Sequence, residues 1–375
     1  MSKSASKSAA GSLAGFYPAV EDGAKIYLRP IGLMPREAWA KGAAVPLAGG
    51  AFSFAHGELI VRRPAGAGVL RAFAPLAEVM AWGYERGAAV AARLDALLGA
   101  LTRARPPFAG VDLDRPRLMG IVNVTPDSFS DGGRFFDPAA AIAHGRALAA
   151  AGAEILDVGG ESTRPGAAPV SIADEIARVA PVIEALAQDG YCVSVDTRHA
   201  AVMRAAVKAG AAIINDVSGL TGDPGSLAAA AESGAAVVLM HMQGEPGRMQ
   251  DNPSYEDAAL DVFDWLEAQV AVCRAKGIAL EKLCVDPGIG FGKTLAHNMD
   301  LLRSAALFHG LGCAVLYGVS RKSFIGKLSH DAPPTARLPG SLAAGLEALN
   351  QGAQILRVHD VAETAQARAV WEAMR

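Results

Sequence analysis

Residues 118–133 read L-M-G-I-V-N-V-T-P-D-S-F-S-D-G-G, an apolar run that turns abruptly polar after Val124 and closes on a glycine pair. Such a switch marks a buried strand that delivers a loop to a reaction site. The loop carries an amide (Asn123), three hydroxyls (Thr125, Ser128, Ser130) and two carboxylates (Asp127, Asp131). Asp, Ser and Gly also build ordinary turns, so the meaning of this stretch depends on whether other segments agree.

From residue 118 onward the chain repeats one phrase: short apolar strand, polar loop, amphipathic helix. The pattern predicts strands over 118–124, 155–160, 191–197, 212–218, 236–242, 282–287, 314–320 and 354–359. Helices follow, among them 138–151, 172–188, 200–209, 255–276 and 341–351, and Gly152, Gly190, Gly210, Gly234, Gly277 and Gly352 supply stops before the next strand. Strands with little alternation suit parallel pairing with both faces covered. Eight units in roughly 260 residues predict an α/β fold, a (β/α)8 barrel. A doubly wound open sheet stays open as the other reading, because a strand count does not prove closure.

A length of 375 residues suits about two domains, and 51% apolar with 19% charged residues is enough for a sizeable core. The formal charge of −3 shows no basic stripe for nucleic acid, so any anionic ligand must be held by local groups. Cys192, Cys273, Cys284 and Cys313 form no C-x-x-C pair; Cys192 and Cys284, in apolar strand-like runs, read as small buried hydrophobes, which fits a reducing cytoplasm. Residues 1–15 lack the apolar core of a secretory signal and read as a disordered tail. No run reaches the roughly 20 apolar residues of a membrane span. Residues 16–105 read as a small α+β extension, with strands over 24–33 and 51–61, one helix over 76–101 weakened at Gly83 and Gly87, and a proline-bearing linker over 102–116. The barrel takes 106–375.

In such a barrel the chemistry gathers where loops leave the C-terminal ends of the strands. Polar groups should therefore follow each strand, and they do. The eight exits carry Asn123; Asp157 with Glu161; Asp196; Asn215 with Asp216; His241; Asp286; Ser320 with Lys322; and Arg357 with His359. Asp196, Asn215, Asp286 and Lys322 in apolar walls can read the edge of a flat, nitrogen-rich heterocycle. Arg357 can stack on such a ring and also reach an anion. Each carboxylate could instead serve in a buried ion pair. Arg357, His359, Lys322 and the loop hydroxyls suit a phosphate. Asn123 offers a neutral oxygen suited to Mg²⁺, though an Asn at a strand end is also a common cap. G-I-G-F-G-K, residues 288–293, lacks Walker A spacing, and its glycines suit a tightened turn equally well. His241 reads equally as structural or functional.

The motifs N-V-T-P-D-S-F-S-D-G-G, E-S-T-R-P-G, V-D-T, I-N-D-V-S-G, D-P-G-I-G-F-G-K, S-R-K-S and R-V-H-D, in this order, resemble those of dihydropteroate synthases. The resemblance runs from about Phe108 to the C-terminus. It implies a barrel that joins 6-hydroxymethyl-7,8-dihydropterin diphosphate to p-aminobenzoate with loss of pyrophosphate, in a homodimeric, Mg²⁺-dependent enzyme that sulfonamides inhibit. By motif, Asp196, Asn215, Asp286 and Lys322 would bind the pterin, with Arg357 stacked on it. Asn123 would meet Mg²⁺, and Asn123, Arg357 and His359 would hold the diphosphate. Phe129, Thr163, Arg164, Pro165, Phe291, Ser320 and Lys322 would line the p-aminobenzoate pocket. The catalytic set would be Asp196, Asp286, Lys322, Arg357 and His359. Asp127 and Asp131 receive no role.

A methyltetrahydrofolate:corrinoid methyltransferase would keep the pterin carboxylates but has no need of S-T-R-P-G and S-R-K-S. An inactive pterin-binding protein would be expected to have lost Asn123, Lys322, Arg357 or His359, and all four are present.

Overall fold

The computed structural model describes residues 13, 20–37, 44–124, 137–161, 170–244 and 249–375. They form two compact units, one of residues 1–104 with 304–312, the other of residues 105–303 with 313–375.

The first unit holds an antiparallel sheet of β1 (Lys25–Ile31), β5 (His56–Arg62) and β6 (Val69–Pro75), in the order β1-β5-β6. A smaller sheet pairs β2 (Met34–Pro35) and β3 (Val45–Pro46) on either side of β4 (Phe52–Phe54). Helices α1 (Leu76–Glu85) and α2 (Ala88–Thr102) follow. The single helix expected over 76–101 breaks at Gly87, whose φ of 105° an α-helix cannot contain. The strand expected over 51–61 divides at Ala55 into β4 and β5. β6 was not anticipated, because its buried positions Ala72 and Ala74 are too small to mark a strand by hydrophobicity. Glu58 is buried in the middle strand, and Arg29 and Arg71 on the flanking strands donate to its two oxygens at 2.6 and 3.1 Å.

The short turn Ala305–Leu311 belongs to this first unit although the sequence places it inside the barrel region. Its Leu307, Phe308 and Leu311 are buried.

The second unit is a closed barrel of eight parallel strands. They are β7 (Arg117–Asn123), β8 (Ile155–Gly159), β9 (Cys192–Asp196), β10 (Ile213–Asp216), β11 (Ala236–Met240), β12 (Leu283–Asp286), β13 (Ala314–Tyr317) and β14 (Ile355–Val358). β14 pairs back onto β7, with Leu356 opposite Leu118, and this closure excludes the open sheet. Seven lie inside the predicted segments, and β7 begins one residue before its own, at Arg117. Helices wrap the outside, and Ser171 caps one of them, Ile172–Gln188, by accepting the Asp174 N–H.

Alternate strand residues face inward, and their character changes along the barrel. The floor is apolar: Phe108 and Leu113 pack with Met119, Ile155, Ile213, Val238, Cys284, Leu316 and Ile355. The expected linker over 102–116 thus contributes the barrel's plug, through a bridge in which Phe108 and Val111 exchange backbone hydrogen bonds at 2.8 and 2.9 Å. Phe108 is fully buried. Phe108→Ala should therefore lower stability by about 3–5 kcal/mol, read by chemical denaturation; a loss under about 1 kcal/mol would show that the floor does not need the plug. Cys273, Cys284 and Cys313 are buried and none of the four cysteines is bridged.

Candidate active site

Two residues above the floor the inward positions become polar. Register places Asn123, Gly159, Asp196 and Asn215 in one row across β7 to β10, with Asp157 one layer deeper. Arg357 on β14 reaches across the barrel to both layers. Its Nε donates to Asp157 Oδ2 at 2.6 Å and its Nη2 to Asp196 Oδ2 at 2.7 Å. Asn215 Nδ2 donates to the same Asp157 oxygen at 3.0 Å. Asp157 is fully buried, and its Oδ1 has no hydrogen-bond partner among the described residues. One planar fork therefore fixes two carboxylates, and one carboxylate fixes the fork and an amide.

The electrostatics follow from burial. Desolvation raises the Asp196 carboxyl to about 7, against the pull of Arg357, with Asp157 adding to the rise. Burial works against the charge on Arg357, but Asp157 and Asp196 outweigh it and raise its pKa. Asp286, at the end of β12, is likewise pushed up by burial, while the Gly288 N–H at 2.7 Å and the cations Lys322 and Lys293 oppose the shift. Lys322 is brought down to about 8 by burial, with Asp286 resisting. Its ammonium lies 4.0 Å from the centre of the Phe291 ring, a cation–π distance. His359 is lowered to about 3 by burial and by Arg357, so near neutral pH it is an uncharged ring. Its Nδ1 and backbone N–H sit 3.1 and 3.2 Å from Ser320 Oγ. Any anion held here meets the full charge of Arg357 and a neutral imidazole.

A profile of the pterin binding enzyme family matches residues 119–359. The dihydropteroate synthase of Escherichia coli K12 is 52% identical over 264 residues, covering 70% of this chain and 93% of that protein. The chain belongs to the dihydropteroate synthase family. A Xanthomonas albilineans dihydropteroate synthase solved with 4-aminobenzoic acid aligns at 49% identity with a TM-score of 0.68, covering 72% of this chain and 98% of its own. The same organism's enzyme in complex with 7,8-dihydropteroate aligns at 47% identity and a TM-score of 0.64, covering 70% and 95%.

Membership makes the chain a transferase of folate biosynthesis, in place of the corrinoid methyltransferase reading. No helix among the described residues is long and apolar enough to cross a membrane. Of the sequence-derived site residues, the barrel brings Asp196, Asn215 and Arg357 into one hydrogen-bonded group, sets Lys322 on Phe291, and joins His359 to Ser320. Asn123 sits half-buried at the top of β7. Phe129, Thr163, Arg164 and Pro165 lie outside the described residues, as do Asp127 and Asp131. His241, left open by sequence, is buried against the edge of Trp265 at 5.1 Å, with Lys293 Nζ 3.0 Å from its Nδ1. Burial and that ammonium push it down to about 2.

Two residues of this arrangement received no role from sequence. Asp157 was visible as a strand-end carboxylate, and the useful signal was its place inside the run I-L-D-V-G, where an ionised group needs a dedicated partner. Lys293 was read only as the end of a glycine-rich turn. Among the described residues, Glu161, Glu175 and His199 form the one group whose ligand atoms lie within 4.8 Å of one another. Arg198 already donates to both Glu161 oxygens at 3.2 and 3.3 Å, and His199 Nδ1 lies 2.7 Å from Glu175 Oε2.

Proposed function

We propose that this chain condenses 6-hydroxymethyl-7,8-dihydropterin diphosphate with p-aminobenzoate, giving 7,8-dihydropteroate and pyrophosphate, by a largely dissociative substitution in the barrel mouth. The observation that carries the reading is the linked set Asp157, Asp196, Asn215 and Arg357, with Asp286 and Lys322 on the neighbouring strand ends. Relatives solved with 4-aminobenzoic acid and with 7,8-dihydropteroate align with this chain at 49% and 47% identity and support the reading.

Asp196, Asn215, Asp286 and Lys322 present acceptors and donors to the pterin edge, with Arg357 along its face. The methylene C–O bond breaks and its electron pair leaves with the diphosphate. Asp196 and Asp286 oppose the positive charge that grows on the pterin, and Arg357 opposes the negative charge on the leaving group, with His359 donating as a neutral ring. The amine lone pair of p-aminobenzoate then forms the C–N bond and one amine proton is lost. An aromatic amine needs no strong base for this step. By motif, Thr163, Arg164, Pro165 and Phe129, with Phe291, Ser320 and Lys322, would serve p-aminobenzoate. Asn123 fits Mg²⁺ by donor type, a hard neutral oxygen that leaves room for waters and phosphate oxygens, whereas both Glu161 oxygens are bonded to Arg198 and Glu175 Oε2 to His199. Bound there, the ion would supply further positive charge beside the leaving diphosphate. The assembly is a homodimer in a cytoplasmic setting.

Pyrophosphate release is measured with the pterin diphosphate, with and without p-aminobenzoate and Mg²⁺. Release matched one-to-one by dihydropteroate is expected; pyrophosphate release without that product removes the assignment.

A further inference from the structure

Lys293 closes the glycine-rich turn after β12, and the chemistry above makes no use of it. Its side chain is buried, at 3% exposure. Nζ donates to His241 Nδ1 at 3.0 Å, to the His241 carbonyl at 3.2 Å and to the Phe291 carbonyl at 2.9 Å. All three acceptors are neutral, and burial brings the amine down to about 7 while Asp286 resists. A buried cation without a contacting carboxylate is costly. Its geometry shows what that cost sustains.

The turn lies directly on the exit of β11. Gly288 and Gly292 have φ of 71° and 60°, and a Cβ at either would fall 2.0 or 2.3 Å from the carbonyl oxygens of His241 and Gln243. Other groups fix most of its peptides. The Gly288 carbonyl accepts the Phe291 N–H at 3.1 Å. Gln250 donates to the Gly290 carbonyl at 2.6 Å and Tyr255 to the Gly292 carbonyl at 2.8 Å. The Phe291 carbonyl is left to Lys293. The side chain of the same residue meets Lys322, whose ammonium lies 4.0 Å from the centre of the Phe291 ring.

We propose that Lys293 is a positioning residue for the p-aminobenzoate side of the site: by tying the exit of β11 to the Phe291 peptide, it holds the aromatic wall against which Lys322 presents its ammonium. This rests on the reading of Phe291 and Lys322 as substrate contacts.

The test is a double-mutant cycle on the full chain, with steady-state kinetics in p-aminobenzoate and thermal melting of each variant. Lys293→Met is expected to raise KM for p-aminobenzoate about tenfold while kcat stays within threefold. In a Phe291→Ala background the same change should add less than twofold, because the wall it positions is gone. A Lys293→Met KM within twofold of the parent, or an undiminished effect in the Phe291→Ala background, overturns the proposal. If Phe291→Ala alone leaves KM unchanged, the reading of Phe291 fails first and the proposal falls with it. Should Lys293→Met not fold, Lys293→Leu, which likewise lacks a donor for the Phe291 carbonyl, carries the same cycle. Loss of the fold in both variants marks Lys293 as structural and also overturns the proposal.

Discussion

Arg357→Met should be the most damaging single change in the barrel, on two independent readouts. Turnover falls by roughly 10²–10³, the usual loss when a preorganised charge at the reacting centre is removed. Stability falls as well, because Asp157 and Asp196 would remain inside the barrel without the fork that now bonds both, at 2.6 and 2.7 Å. Breaking one side of a buried ion pair costs about 3–5 kcal/mol. Arg357→Lys separates the two effects. It keeps the charge but cannot bond both carboxylates with one rigid plane, so it should recover part of the stability and little of the turnover. If Arg357→Met melts like the parent protein, the two carboxylates do not depend on the guanidinium and the site description fails.

Asp196→Asn should separate activity from stability in the opposite direction. Turnover is expected to fall by roughly 10²-fold, since the amide cannot oppose the positive charge growing on the pterin. The fold should gain. Free of the fold, the Asp196 carboxyl ionises near 3.8, whereas in the barrel burial holds it up to about 7. Between those values the folded chain keeps a proton that the unfolded chain has released. The parent protein therefore loses stability as pH rises from about 4 to about 7, and loses no more beyond. Asparagine carries no such penalty and can still accept from Arg357. The variant should melt above the parent at pH 8, with the gap shrinking toward pH 5. An equal gap at both pH values, or a smaller one at pH 8, would refute a site held ready at the expense of the fold.

The barrel was legible because its signals are local and repeated. Each strand is an apolar run with a polar exit, and all eight strands match the predicted segments to within one residue. Closure was not legible, because it depends on β14 meeting β7 across more than 200 residues of chain. The first unit was read less well. Its sheet depends on small buried residues such as Ala72 and Ala74, and its helix break on a backbone angle at Gly87. In the candidate site, residue types at the exits pointed to Asp196, Asn215, Asp286, Lys322 and Arg357, and the barrel sets all five at its mouth. Sequence could not say that Arg357 bonds Asp157 and Asp196 together, nor that the His359 imidazole is uncharged. Those facts come from burial and from partners far away in the chain. Lys293 escaped notice because its partners are backbone carbonyls and an imidazole on another strand, which no spacing rule connects.

The turn Ala305–Leu311 sets a timetable for synthesis. The first unit's sheet and helices leave the ribosome early, yet one piece of their apolar packing, with Leu307 and Phe308, is encoded about 200 residues after residue 104. At roughly 5–20 residues per second, that piece emerges about 10–40 s later. Through that interval the nascent unit carries an uncovered apolar face, a natural target for a holdase chaperone. Chains stalled before residue 304 should remain protease-sensitive within residues 20–104, and chains stalled well past 312 should not. The unit that begins the protein is thus among the later parts of it to be completed.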